Sequence, residues 1–138
     1  MMFGRRGSLP PHLAEAERAF HDVLDELEPA KAGLTDVVPG SRMPGRPLSH
    51  ALVEFVERLE QGAVLMPSWR RPELEAEWRS SQAGLGRALD LARLLSADPE
   101  PIDGFDDLLG IVESLLDPLD PFADAEQAFR RLRRRGTR

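Results

Sequence analysis

Apolar residues along this chain recur at intervals of three and four, a spacing that predicts helices. Leu13, Ala16, Phe20, Leu24, Leu27, Leu34 and Val38 fall near one seam and predict a first helix over about residues 10–37. Ser8 and the Pro10–Pro11 pair suit its entrance, because proline is tolerated in the first turn. Pro29 lies inside the pattern and predicts a kink or break, since it removes a backbone donor. Residues 39–47, PGSRMPGRP, hold three prolines and two glycines and predict an extended connection.

Leu48, Leu52, Phe55, Leu59, Gly62 and Met66 predict a second helix that begins near Pro47 and stops at Pro67. Leu74, Trp78, Ser81, Leu85, Ala88, Ala92 and Leu95 keep a seven-residue register and predict a third, from about Pro72 to Ser96. Leu89, Leu91 and Leu94 widen its apolar face, so it is expected to be the most buried helix. A fourth opens at Asp103 as N-cap, with Leu108, Ile111, Val112, Leu115 and Leu116 toward the core. Asp117–Pro118 and Asp120–Pro121 offer two successive starts for the last helix, about 121–135, which packs through Phe122, Ala125, Phe129 and Leu132. Gly136 suits its C′ position.

Tyrosine is absent, β-branched residues are sparse and alternating runs do not occur, so no strand is expected. The expected fold is all-α, an up-and-down antiparallel helical bundle of four to five helices, with the final two readable as one bent helix. The expected organisation is a flexible N-terminal segment over residues 1–9, a single helical-bundle domain over 10–135 and a short basic tail end over 136–138. Strict alternation of five segments places the N-terminus, the 66–71 loop and the 117–120 bend at one end. The 38–47 loop, the 96–103 loop and the C-terminus then fall at the other.

Charge changes the picture at the termini. The net charge of the 138 residues is −6, yet residues 7–129 hold ten basic against 24 acidic side chains, a net −14. Arg5 and Arg6 lie before that body, and Arg130, Arg131, Arg133, Arg134, Arg135 and Arg138 follow it. Those six are candidate contacts for an anion or nucleic acid. Arginines at a helix C-terminus also oppose the negative end of its dipole. Equally, they could dock on Asp98, Glu100 and Asp103, which strict alternation brings to the same end. A polyanion held by the tail would be repelled by the acidic body, so nucleic acid is not the favoured partner.

The stretch MPSWRRPELEAEWRS, residues 66–80, carries both tryptophans. Trp78 shares a seam with Leu74 and Leu85 and is read as core, with one edge near the surface for its indole N–H. Glu73, Glu75 and Glu77 load the positive end of the third helix dipole and would repel phosphate. Trp69 precedes that helix. It either closes the open end of the bundle or stands exposed with Arg70 and Arg71 as a partner-binding anchor.

Other chemistry is thin. No cysteine is present, which removes disulfides, thiolate metal sites and cysteine nucleophiles. Glu17, His21 and Asp25 form one row and His50 and Glu54 another, but a single row closes no tetrahedral site, and solvated ion pairs explain both. No Glu-x-x-His pair, phosphate loop or nucleophile elbow occurs. No metal and no cofactor are expected. Gly84 and Gly86, within GLGR, permit close helix approach or weaken that turn. No apolar run reaches membrane-spanning length, and no apolar stretch follows the twin arginine, so a cytoplasmic location without a secretion signal is expected. The function expected is non-catalytic, through contacts with an unknown protein partner or in a homodimer. A nucleic-acid-associated role for the arginine segment is the alternative, and a metal-dependent enzyme a distant third.

Overall fold

The structure, a computed structural model, describes residues 9–38, 47–97 and 104–135. Among them are five α-helices and no strand: α1 Pro11–Thr35, α2 Leu48–Leu65, α3 Glu75–Ala97, α4 Phe105–Leu116 and α5 Pro121–Arg135. Short 3-10 turns Met66–Trp69, Pro72–Leu74 and Asp117–Leu119 join them. The chain is an all-α helical bundle, and among the described residues no helix is long and apolar enough to cross a membrane.

Pairs between helices set the directions. Glu26 of α1 meets Arg58 of α2, Glu60 of α2 meets Arg93 of α3, and Glu77 of α3 meets Arg131 of α5. Phe20 meets both Phe122 and Phe129. Successive neighbours are therefore antiparallel. α4 and α5 do not alternate with each other, however: both run back along α3. The 117–119 turn lies against Gly84, halfway along α3, where an added Cβ would come within 1.9 Å of the Pro118 carbonyl oxygen. A glycine is required there because a backbone oxygen occupies the space a side chain would need.

The five helices thus fill four positions, with α4 and α5 as one bent unit. This corrects the sorting of the ends. The C-terminal part of α5 lies beside the start of α1 and the 66–74 connection, and the 117–120 bend lies at mid-height. Two short helices in series span about what α3 spans alone, so the chain turns at the bend without reversing.

Other boundaries shift for local reasons. α1 runs through Pro29 without a break. That residue is on the solvent face, where water can serve the carbonyl that proline leaves unpaired. The α1 seam passes through Leu13, Ala16, Phe20, Val23, Leu27, Ala30, Leu34 and Val37, a regular alternation of threes and fours; Leu24 and Val38 are only half-buried at its edge. α2 ends at Leu65, just before Pro67 as its spacing implies, and the chain continues in a 3-10 turn. The N-cap position of α4 is Gly104, at φ 93°, with no side-chain cap; Asp103 lies outside the described residues, as do Asp98, Glu100, Gly136 and Arg138. α3 is not the most buried helix, since α1 buries at least as much. Leu94 is 64% exposed, because it lies roughly 160° around α3 from Ala92 and the seam.

Candidate functional site

The end where α1 begins and α5 finishes gathers most of the residues that carry chemistry. Its interior is aromatic. Trp69 is 0% exposed and packs edge-on against Phe20 at 4.9 Å, with Phe129 at 6.3 Å. Its indole N–H donates to the Met66 sulfur at 3.3 Å. Trp78 is 9% exposed, and its indole N–H donates to the Met66 carbonyl oxygen at 2.8 Å. One methionine therefore satisfies both tryptophans, through its side chain and its backbone.

Complete burial removes Trp69 from any partner-binding surface. The exposed-anchor reading fails because the 66–69 segment is a tight 3-10 turn, which folds the indole beneath the bundle. Trp69 belongs to the core at that end.

Arg70 and Arg71 are engaged within the fold. The Arg70 guanidinium lies over the Trp78 ring, 4.1 Å from its centroid, a cation–π arrangement. Its Nε and Nη2 donate to the two carboxylate oxygens of Glu75 at 3.1 and 2.7 Å. Arg79, one turn on, donates to Glu75 at 2.6 Å. Arg70 and then Arg79 hold the Glu75 carboxyl well below its ordinary range, at about 2. The same carboxylate raises the pKa of Arg70.

Arg71 donates to the backbone carbonyls of His12, Ser68 and Arg70 at 3.2, 3.2 and 2.9 Å, clasping the start of α1 to the turn. His12 Nε2 lies 2.5 Å from Glu73 Oε2, and this bond lowers the Glu73 pKa. Arg70, Arg71, Pro72 and Glu75 line an open depression of about 530 Å³, but its polar groups are already bound to one another or to backbone.

The arginines of α5 divide by face. Arg133 turns toward α1 and pairs with Glu17, which is half-buried. Arg130, Arg131, Arg134 and Arg135 are exposed. Arg130 is 3.9 Å from Glu126 and Arg131 is 3.9 Å from Glu77, while Arg134 also interacts within the chain. Arg133, Arg131 and Arg130 thus meet Glu17, Glu77 and Glu126. The docking alternative on Asp98, Glu100 and Asp103 falls on residues outside the described ones.

The carboxylate–histidine rows do not converge. Glu17 is committed to Arg133, and His21 is exposed beside the Phe20 ring. Among the described residues no three His, Asp or Glu side chains are grouped so as to hold a metal ion. Two features escaped the sequence reading: Met66 as the shared acceptor, and Glu75 as the hub of two arginines. The spacing of Glu75 and Arg79 signals one of those bonds. The Arg70 bond depends on a turn that helical arithmetic does not describe.

Comparison of the chain with protein-family models, with curated proteins and with solved structures finds no match.

Proposed function

We propose that this chain is a non-catalytic helical-bundle module acting through contacts with another protein, in the cytoplasm. The observation that carries this reading is where solvent-facing side chains lie. The polar groups around the concave depression are bound to one another or to backbone. The convex outer faces instead present exposed arginines on α5 and exposed aliphatic side chains on α2 and α3: Val53, 57% exposed, Val64, 74%, and Leu94, 64%. Convex faces suit a macromolecular partner, whereas small substrates are held in concave, largely preformed sites. The partner is a different protein or a second copy of the chain.

A second reading, association with nucleic acid, is favoured by the exposed arginines of α5 alone, and the neighbouring carboxylates oppose it. Chemical crosslinking in an extract of the source cells, followed by size-exclusion chromatography, tests the main reading. A discrete crosslinked species with a protein of defined mass is expected. A chain that migrates alone and uncrosslinked at every concentration overturns it.

A further inference from the structure

The solvent face of the last turns of α5 departs from what stability alone requires. At 100° per residue, Arg130, Arg134, Arg131 and Arg135 fall within an arc of about 140°. All four are exposed. Arg130/Arg134 and Arg131/Arg135 are like charges four apart, a spacing that destabilises a helix. The helix dipole compensates Arg133, Arg134 and Arg135 in the last turn but does less for Arg130 and Arg131, which precede it. Internal carboxylates do little more for Arg130 and Arg131, whose pairs to Glu126 and Glu77 are both 3.9 Å long, while Arg134 also interacts within the chain. By contrast, Arg70 and Arg79 are held on Glu75 at 2.7 and 2.6 Å. Repulsion among Arg130, Arg131 and Arg135 left in place at an exposed surface marks a functional site, because an external anion relieves it.

We propose that this face is a docking surface for a short acidic segment of a protein partner, one with clustered Asp or Glu side chains. The assignment rests on the reading of the chain as a protein-binding module and names the chemistry of the partner. The size of the face selects the occupant. From Arg130 to Arg135 the helix rises about 7.5 Å. Acid bounds it: Asp120, Asp124 and Glu126 lie toward the start of α5, and Glu73, Glu75 and Glu77 lie on the adjoining part of the chain. A few carboxylates fit inside that border and match the guanidinium forks, which bind carboxylate in bidentate fashion. A DNA duplex carries a charge about every 1.7 Å along its axis, and its phosphates beyond the arginine face would run over those acidic side chains.

The test uses the full chain, a fluorescein-labelled octaglutamate peptide and a labelled DNA duplex, with binding read by anisotropy at low salt. One double variant is Arg130→Gln/Arg135→Gln. The control, Arg18→Gln/Arg87→Gln, removes the same charge from exposed positions on α1 and α3. Circular dichroism first establishes that both variants keep the parent's helicity. Octaglutamate is expected to bind the parent, about tenfold more weakly the first variant, and within about twofold of the parent the control. No binding to the parent, equal losses in the two variants, or tighter binding of the duplex than of the peptide overturns the proposal. A crosslinked partner in extract together with no octaglutamate binding overturns the acidic-segment assignment alone and leaves the protein-binding reading standing.

Discussion

Where α1 begins and α5 finishes, the core is built from Phe20, Trp69, Trp78, Phe122 and Phe129, and the surface above it is cross-tied by His12–Glu73, Arg70–Glu75–Arg79 and Arg133–Glu17. Toward the other end the core holds one large ring, Phe55, among Ala30, Leu34, Val37, Ala51, Leu52, Ala88, Ala92 and Val112. There α4 buries Val112 and Leu115 while leaving Leu108, Ile111 and Leu116 half-buried. The first region is specified by large rings with directional hydrogen bonds. Apart from Phe55, the second rests on small and aliphatic side chains, which tolerate exchange so long as volume is kept. Unique packing is concentrated where three separate parts of the chain meet.

The sharpest way to break that contrast is Trp69→Ala. As a fully buried ring it is expected to cost about 3–5 kcal/mol in chemical denaturation. A loss under about 1 kcal/mol would make the indole a cover over the end rather than part of its core. Next is Gly84→Ala, which tests the seam between the two regions. The Pro118 carbonyl must move, and a loss of about 1–3 kcal/mol is expected. Gly86→Ala has open space around it and should stabilise by up to about 1 kcal/mol through helix propensity. Equal effects at the two glycines would contradict the placement of the bend.

Ser81 is wholly buried in α3, and its hydroxyl has no hydrogen-bond partner. Ser81→Ala should therefore raise stability, by about 1 kcal/mol, since it removes an unsatisfied group. Destabilisation by a similar amount would show that the hydroxyl is satisfied in solution. Smaller still is the acid dependence of the Glu75 hub. Its folded pKa, about 2, lies below the ordinary 4.5. Its contribution is complete above the ordinary value and is lost as pH falls through 4.5 toward 2. Denaturant midpoints across that window should fall less steeply in Glu75→Gln than in the parent, and unchanged slopes would refute the hub. Leu94→Gln, on the exposed outer face of α3, should change stability by no more than about 0.5 kcal/mol.

The helices and their inward faces were legible because a seam repeats: Leu74, Trp78, Ser81, Leu85, Ala88 and Ala92 all proved buried, as the seven-residue register implies. The sequence offered close approach or a weakened turn for Gly84 and Gly86 alike; only Gly84 is closely approached, and by a turn rather than a helix. What could not be read lies in irregular backbone. Trp69 occupies a 3-10 turn, where the angular rule for an α-helix does not apply. The position of the arginine segment depended on whether residues 117–120 reverse the chain or merely bend it. Both conformations satisfy the same Asp-Pro signals, and only the packing of Pro118 on Gly84 decides between them.

The Arg133–Glu17 pair joins positions 116 residues apart in the chain. During synthesis the α1–α2 hairpin can close as soon as its own residues emerge, because its contacts are local. The aromatic end cannot close until α5 has emerged, so Phe20 and Trp69 wait for Phe122 and Phe129. At ordinary elongation rates of roughly 5–20 residues per second, the ~50 residues between Trp69 and Phe122 occupy several seconds. For that interval the nascent chain presents uncovered aromatic surface, an opening for chaperones or for misassociation that ends only when its last helix docks.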